Sequence, residues 1–344
     1  MKTFDLFKKK SSRRVGLDIG SDNLKVVEIE IADKASNIIN MGIKNIQGLD
    51  PAGIPKAIKD LLREANISTK EVNISIAGEN VVARYLSLPK MAPDELRKAM
   101  EFQIEDHIPF KADEVYTDYK IIGDDPKSKN RMQVFLVAAK KELIEAKSKL
   151  IQEAGLKAQV ITMDALAIKN TLYFNYSGPS SENNANIAIL NIGNKTTNII
   201  ITKNKTPYFV RDVRFGGETI GFLLKTKLNI DQAKAEELKR DMHDVSAEVK
   251  QMVKLSLTNL LNEIFASFDF YENLTEQRIN QVYLAGGFSQ FSELKEFLGG
   301  YLNLEPIFIN PFQKFNLNSK LSSQAAQAGP VLFSVAAGLA LEEL

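Results

Sequence analysis

Cysteine is absent from this chain of 344 residues. The absence excludes disulfide bonds and thiolate chemistry, and it fits a reducing compartment. Histidine is scarce as well, because only His107 and His243 could supply an imidazole, and this excludes a zinc site built from several histidines. No glycine-rich loop ends in Gly-Lys followed by Ser or Thr, so the chain is not a P-loop nucleotide-binding protein.

An excess of charge and a long apolar run are also missing. The formal net charge is +1, so bulk charge gives no argument for nucleic-acid binding. Residues 331–341 are the best candidate for a membrane span, but they are too few and include Ser334. No apolar stretch of a secretory signal follows residues 1–10, so we expect a cytoplasmic protein. We interpret the basic residues 1–12 as a solvated tail, with contact to anionic lipid as the alternative.

The sequence does contain one motif twice. An apolar strand carries Asp18 two residues before Gly20, and a second apolar strand carries Asn191 two residues before Gly193. Each glycine opens a small polar turn that is followed by another β-rich strand. Tight turns of this kind expose backbone N–H groups that can bind phosphate. The repeat therefore predicts two similar lobes with a nucleotide between them.

A third glycine turn, Gly286-Gly287, follows another apolar strand. Glycine lets a backbone approach a phosphate closely because no Cβ is in the way. One such turn is weak evidence for a nucleotide site, but three turns spread over both predicted lobes are much stronger. Asp18 lies at a strand end, where a carboxylate can hold Mg²⁺ through water; a carboxylate that only forms the turn is the alternative.

The order of predicted elements indicates several domains, as the length of the chain also does. Residues 81–163 read as strand, helix, strand, strand, helix, strand, which we interpret as an inserted subdomain of the first lobe. A final helix is predicted over residues 324–341. The remaining assignments are residues 13–80, 164–176 and 324–344 for the first lobe, and residues 186–323 for the second lobe.

The three glycine turns make the chain similar to the actin-like ATPase superfamily. Within it the chain most resembles the PilM family of type IV pilus assembly proteins, which are relatives of the cell-division protein FtsA. The segments that carry this second resemblance are residues 88–96, 105–110, 209–211, 216–217 and 337–341. The resemblance implies an α/β fold with two actin-like lobes, each ribonuclease-H-like, and an inserted β-α-β-β-α-β subdomain.

The resemblance also implies bound ATP and Mg²⁺, with Asp18 as the metal-binding residue and no catalytic residue assigned. Ala235-Glu236 followed by Lys239 resembles the helix that flanks adenine and ribose in bacterial members. For Lys239, a surface charge on its helix is an equal alternative to a ribose contact. The residues implied to bind the cofactor are Asp18, Gly20, Ser21, Asp22, Asn23, Lys25, Asn191, Gly193, Asn194, Thr196, Thr197, Gly216, Gly217, Glu236, Lys239, Gly286, Gly287 and Phe288.

The implied partner is the short cytoplasmic N-terminal peptide of the membrane protein PilN, bound in a groove of the first lobe and the inserted subdomain. PilN and PilO would connect the protein to the inner membrane and indirectly to the pilus motor ATPases, with a homo-oligomer possible in principle. The alternatives are an FtsA-like filament protein and the equivalent subunit of a type II secretion system. A small-molecule kinase is disfavoured because it needs a carboxylate base where this chain has Asn191.

Two residues depart from the superfamily pattern. Asn191 stands where the second phosphate motif usually has Asp, and Ser292 where the adenosine motif often has another Gly. Asn cannot act as a carboxylate, and losing one such group commonly costs about 3 kcal/mol in the transition state, roughly a hundredfold in rate. We therefore expect tight ATP binding with slow or absent hydrolysis, and a faster residual rate in Asn191→Asp.

Overall fold

The computed structural model describes residues 12–32, 35–125, 128–176, 185–203 and 205–342. The predicted basic tail lies, except for its last residue, outside the described residues. The strands within them are β1 Ser12–Ile19, β2 Asn23–Ala32, β3 Ala35–Asn45, β4 Glu71–Ile76, β5 Val81–Pro89, β6 Val115–Asp125, β7 Ser128–Lys140, β8 Lys157–Met163, β9 Asn186–Ile192, β10 Thr197–Lys203, β11 Thr206–Val213, β12 Gln281–Ala285 and β13 Ile307–Phe308. The helices are α1 Ile54–Glu64, α2 Pro93–Gln103, α3 Lys141–Glu153, α4 Asp164–Tyr176, α5 Gly217–Leu228, α6 Gln232–Arg240, α7 Ala247–Thr275, α8 Leu294–Leu302, α9 Ser319–Ala328 and α10 Ser334–Ala340.

The described residues fall into two compact units. The first lies within Met1–Ser75, Leu150–Ser181 and Phe308–Leu344, and the second within Ile76–Lys149 and Glu182–Ile307. Residues 76–149 therefore group with the second unit. The lobe boundaries that we assigned from the sequence stay a prediction.

Each unit contains a five-stranded sheet of the same topology, which confirms the predicted duplication. The strand order is β3-β2-β1-β4-β8 in the first unit and β11-β10-β9-β12-β13 in the second. In the first unit β1 pairs antiparallel with β2 and parallel with β4. In the second unit β9 pairs antiparallel with β10 and parallel with β12. We call the β1–β2 pair the first hairpin and the β9–β10 pair the second hairpin.

The core of the first unit has one layer on each side of its sheet. Helix α1 covers one face, and its apolar residues Ile58, Leu61 and Leu62 recur at helical spacing and are buried. Pro55 falls in the first turn of α1, where a missing N–H does no harm. On the other face, α10 packs against strand residues such as Ile29.

Helix α10 lies in direct backbone contact with its neighbours in the first unit. A Cβ added to Gly16 of β1 would lie 2.0 Å from the Ala336 carbonyl oxygen, and one added to Gly338 would lie 1.8 Å from that of Ala167 in α4. These positions can therefore hold only glycine if the helix is to pack this closely.

The prediction of one continuous helix over residues 324–341 is wrong. Helices α9 and α10 are separated by a short 3-10 turn, Pro330–Phe333, and Gly329 before it has a φ of 88°. A proline has no N–H for the helix ladder and disfavours a helical conformation in the residue before it. The Gly-Pro pair therefore divides the segment.

The second unit has its main core between its five-stranded sheet and the long helix α7. Strand β9 is buried along its whole length. Helix α7 presents Leu257, Leu260, Leu261 and Ile264 to the same core. These apolar residues recur at helical spacing, so one face of α7 is buried along its length.

A smaller sheet of order β5-β7-β6 forms a separate core in the second unit with α2. The predicted order of strand, helix, strand, strand, helix, strand is observed, but its last strand, β8, belongs to the sheet of the first unit. Ile151 of α3 is likewise buried in the core of the first unit. The small sheet is therefore built from three strands rather than four.

Aromatic side chains join the small sheet to β11 within the second unit. Tyr85 of β5 stacks on Tyr208 of β11 with ring centroids 5.1 Å apart, and it also packs against Phe135 of β7. The Tyr85 hydroxyl is buried and has no hydrogen-bond partner. Burial, and to a lesser extent the neighbouring Tyr208, raise the pKa of this hydroxyl far above its ordinary value.

Candidate functional site

The first hairpin places Asp18 directly opposite Lys25 on the paired strand. Lys25 Nζ donates to Asp18 Oδ2 at 2.8 Å, and the side chains of Lys25 and Asp18 are only 13% and 11% exposed. Water therefore screens this ion pair less than a pair on the open surface. A carboxylate and an ammonium group are thus held together at the base of one turn.

The turn of the first hairpin contains the other predicted residues of the first unit. The Gly20 amide donates to the Asn23 carbonyl at 3.2 Å, and a Cβ on Gly20 would lie 2.9 Å from that oxygen. Ser21 is exposed, and Asp22 and Asn23 are half-buried. All six residues predicted for this unit therefore belong to one small cluster, which we call the first-hairpin cluster.

The second hairpin repeats the same turn geometry. The Gly193 amide donates to the Thr196 carbonyl at 2.9 Å, and a Cβ on Gly193 would lie 2.9 Å from that oxygen. Thr197 is fully buried, and its hydroxyl donates to the Phe215 carbonyl at 2.9 Å. Gly20 and Gly193 thus occupy equivalent positions in the two hairpins, as the repeated motif predicts.

Asn191 begins a chain of side-chain hydrogen bonds that we call the amide chain. Asn191 Nδ2 donates to Asn198 Oδ1 at 2.5 Å, and Asn198 Nδ2 donates to Asp212 Oδ1 at 2.7 Å. The second carboxylate oxygen, Asp212 Oδ2, accepts from the backbone N–H of Gly78. The amide chain of hydrogen bonds therefore runs from the second hairpin through β11 to the residues just before β5.

Helix α5 begins directly on the turn of the second hairpin. The Gly217 amide donates to the Gly193 carbonyl at 3.1 Å, and the Glu218 amide donates to the Asn194 carbonyl at 2.8 Å. A Cβ on Gly216 would lie 2.4 Å from the same Asn194 oxygen. The glycine pair at residues 216 and 217 is therefore needed for the helix to approach the turn.

Helix α6 adds a shielded ion pair to the start of α5. Lys239 is buried, with its Nζ 2.6 Å from Glu236 Oε1 and 3.2 Å from the Gly217 carbonyl oxygen that it donates to. Gln232 Nε2 donates to the same Glu236 oxygen at 3.0 Å. Lys239 is therefore not a surface charge of α6, and its ammonium group faces the glycine pair.

Strand β12 brings the third glycine turn to the second hairpin. Ala285 pairs with Asn191 in register, so the next residue, Gly286, lies beside the Asn191 side chain. Gly286 has a φ of 84°, and a Cβ there would lie 2.5 Å from the Ile192 carbonyl oxygen. Gly287 opens a short 3-10 helix, and the buried ring of Phe288 comes within 3.0 Å of a Cβ placed on Gly217.

The structure thus brings the residues predicted for the second unit together around the start of α5. We call this group the second-hairpin cluster, and its members are Asn191, Gly193, Asn194, Thr196, Thr197, Gly216, Gly217, Glu236, Lys239, Gly286, Gly287 and Phe288. Sequence reasoning missed Asn198 and Asp212 of the amide chain. Asn198 could have been noticed as a polar residue before the apolar run of β10, whereas nothing local marks Asp212.

Within the described ranges, no three side chains of the kinds that ligate metals form a group that could hold a metal ion. A single carboxylate such as Asp18 still suits Mg²⁺, which keeps most of its waters. Over the same ranges, no helix has the length and the apolar character needed to cross a membrane.

Comparison with known proteins finds a family model over nearly the whole chain and curated relatives over 66–70% of it. The family model described as type IV pilus assembly protein PilM matches residues 16–344. Cell division protein FtsA of Bacillus subtilis (strain 168) is 23% identical over 257 residues, which cover 66% of this chain and 57% of FtsA. FtsA of Enterococcus faecalis (strain ATCC 700802 / V583) is 23% identical over 268 residues, which cover 70% of this chain and 60% of FtsA. The chain therefore spans less than two thirds of the length of these relatives.

Solved structures match the fold of this chain over nearly its whole length. A PilM-PilN type IV pilus biogenesis complex matches with a TM-score of 0.84 and 25% identity, over 96% of this chain and 98% of that chain. The ethanolamine utilization protein EutJ from Carboxydothermus hydrogenoformans matches with a TM-score of 0.56 and 14% identity, over 97% and 91% of the two chains. These matches confirm the predicted actin-like fold with two lobes.

Proposed function

Because the chain belongs to the PilM family of type IV pilus assembly proteins, we propose that it is an ATP-binding adaptor that docks the cytoplasmic N-terminal peptide of a PilN partner. The observation that carries the proposal is the TM-score of 0.84 to a PilM-PilN complex over 96% of this chain. Through PilN the adaptor would reach PilO and, indirectly, the pilus motor ATPases. It would then lie at the inner face of the cytoplasmic membrane without entering it.

The residues present fit a nucleotide with Mg²⁺. In the first-hairpin cluster Lys25 supplies positive charge for an anionic phosphate, and Asp18 supplies a hard oxygen ligand of the kind that Mg²⁺ prefers. In the second-hairpin cluster Glu236 and Lys239 supply polar groups for the ribose. The glycines of both hairpin turns let a backbone come close to a phosphate. Bound ATP would supply a polyphosphate, which the lysine and the turn N–H groups of the first-hairpin cluster would bind and orient.

Hydrolysis is expected to be slow or absent because Asn191 provides no carboxylate to activate water. The expected deficit is about 3 kcal/mol, or roughly a hundredfold in rate. Phosphate release from Mg-ATP should therefore stay close to the level of the Asp18→Ala variant, which serves as the control for contaminating ATPases. A robust rate in the wild type that Asp18→Ala abolishes would contradict this expectation.

Two glutamates on α6 provide a matched test of the nucleotide site. Glu236 pairs with the buried Lys239, whereas its neighbour Glu237 pairs with Lys234 at 2.9 Å on the surface. Both are ion pairs three residues apart on the same helix. In titrations with a fluorescent ATP analogue, Glu236→Ala should weaken binding about tenfold because the ribose loses a polar partner. Glu237→Ala should bind like the wild type, and an equal loss in both variants would speak against the second-hairpin cluster as a nucleotide site.

The docking of PilN is tested with a labelled peptide. The probe is the N-terminal cytoplasmic segment of PilN from the same organism, and its fluorescence anisotropy is followed at saturating Mg-ATP. We expect saturable binding that weakens in Asp18→Ala, together with no binding of a scrambled peptide of equal composition. Absence of binding to folded, nucleotide-loaded protein would overturn the adaptor proposal.

The matches to FtsA favour a filament-forming protein as the second candidate function. ATP-dependent sedimentation of the purified protein would support that candidate. A homo-oligomer that forms equally with and without nucleotide would not, because the filament proposal requires assembly to depend on ATP.

A further inference from the structure

We propose that Asp212 is a positioning residue that sets the orientation of the Asn191 side-chain amide, so that its oxygen and not its NH₂ group is presented beside Gly286. The inference rests on the proposed function only where it concerns nucleotide binding. The orientation itself follows from the hydrogen bonds of the second unit.

The two asparagines of the amide chain are well shielded from water, and Asp212 is partly shielded. Asn191 and Asn198 are 7% and 2% exposed, and Asp212 is half-buried. The two paired strand positions on either side of Asn198 are those of Asn191 and Asp212. Each side chain therefore meets its neighbour across a strand, with little room for water to replace a lost partner.

The carboxylate of Asp212 dictates the direction of every bond in the amide chain. A carboxylate can only accept hydrogen bonds, and that of Asp212 accepts from Gly78 N–H and from Asn198 Nδ2. Asn198 must then turn its Oδ1 toward Asn191, and that oxygen can only accept from Asn191 Nδ2. The Asn191 oxygen is left on the opposite side, where a Cβ on Gly286 would lie 2.7 Å from it.

This direction gives the second hairpin an acceptor oxygen in place of the acid of the superfamily pattern. Asn191 keeps an acceptor oxygen at the position where the family pattern has a carboxylate, and the negative charge is instead found on Asp212. In an Asn191→Asp variant, a carboxylate oxygen would face Asn198 Oδ1, which has no proton to donate. The expectation that Asn191→Asp by itself raises the hydrolysis rate is therefore replaced by the expectation that it disturbs the amide chain.

Reversing the direction of the hydrogen bonds in the amide chain should restore the stability and the nucleotide affinity of the protein. A residue with a merely structural role would not show this rescue. In the double variant Asn191→Asp with Asp212→Asn, the new amide at 212 can accept from Gly78 and donate to Asn198. Asn198 can then rotate and donate to the new carboxylate at 191, so that every group again has a partner. In Asp212→Asn alone, both asparagines can rotate together, and Asn191 then presents its NH₂ group beside Gly286.

The first measurement is the melting temperature of four nucleotide-free proteins: the wild type, both single variants and the double variant. Asn191→Asp should melt about 3 °C lower or more because two buried acceptors face each other. Asp212→Asn and the double variant should melt within about 1 °C of the wild type. If the two single changes simply add, so that the double variant melts no higher than Asn191→Asp, the proposed orientation is overturned.

The second measurement is the affinity of the same proteins for a fluorescent ATP analogue with Mg²⁺. Asp212→Asn should bind about tenfold more weakly, because an NH₂ donor then replaces the Asn191 oxygen that would accept from a water bound to Mg²⁺, and the double variant should regain at least the wild-type affinity. Asp244→Asn is the control for the loss of one negative charge, since the Asp244 side chain is 93% exposed, and it should bind like the wild type.

The two measurements separate the two proposals. Rescue of the melting temperature without nucleotide binding by any of the proteins would leave the orientation standing and overturn the proposed ATP-binding function. Rescue of the melting temperature with wild-type affinity in Asp212→Asn would overturn the positioning role of Asp212 at the nucleotide site.

Discussion

Replacing Gly338 by alanine tests whether α10 depends on direct backbone contact with α4. A Cβ at this position would lie 1.8 Å from the Ala167 carbonyl oxygen, and Cβ atoms in proteins stay at least 3.0 Å from such atoms. The two helices would therefore have to separate by roughly 1.2 Å. The same shift would stretch the 2.6 Å hydrogen bond from Thr171 Oγ1 to the Ser334 carbonyl.

Two opposing effects decide the size of the change in stability. Alanine is about 0.8–1 kcal/mol better than glycine inside a helix. Overpacking of a buried contact typically costs about 1–3 kcal/mol and occasionally more, and all residues of α10 are buried. Because backbone atoms must move here, we expect the upper end, which leaves a net loss of about 2 kcal/mol. In a chain of this size that loss lowers the melting temperature by about 4 °C.

The matched control is Gly300→Ala in α8, where an added Cβ would have nothing within 4 Å. This variant should gain about 0.5–1 kcal/mol from helix propensity alone. Both proteins are compared with the wild type by differential scanning calorimetry. If Gly338→Ala melts at or above the wild-type temperature, the two helices can separate freely and the close-contact argument fails.

Two further substitutions test the small sheet and the glycine turns. Tyr85→Phe removes a buried hydroxyl without a partner, so thermal unfolding should show a gain of about 1 kcal/mol near pH 7. Burial raises the pKa of Tyr85 in the folded protein. Above about pH 10 the unfolded chain therefore loses this proton first, and the wild-type protein loses stability. A stability gain of Tyr85→Phe over the wild type that does not grow between pH 9 and pH 11 would contradict this. Gly286→Ala should abolish binding of the ATP analogue, because φ is 84° and the new Cβ would lie 2.5 Å from the Ile192 carbonyl oxygen. Circular dichroism checks that this variant is folded, and unchanged affinity in a folded variant would refute the argument.

Most of the candidate site could be predicted because its signals are local. Gly20 and Gly193 each follow an apolar strand and open a turn, and the structure places them in equivalent turns. The second hairpin then brings Asn198 opposite Asn191. Asp212 could not be predicted, since its pairing with Asn198 depends on the register of β10 and β11, and that register shifts between Ile201 and Thr202.

The sequence by itself determined the duplicated sheets, the glycine turns and the missing carboxylate at position 191, because strand periodicity and turn chemistry depend on neighbouring residues. Only the tertiary structure decided which segments meet. Asn73 donates to the carbonyl of Leu339, 266 residues further along the chain, at 2.9 Å, and β8 joins the sheet of the first unit. The carboxylate of Asp212 is likewise linked to Asn191 through Asn198, and strand pairing brings these three residues together. Such contacts follow from how buried surfaces fit together, and no local pattern records that fit.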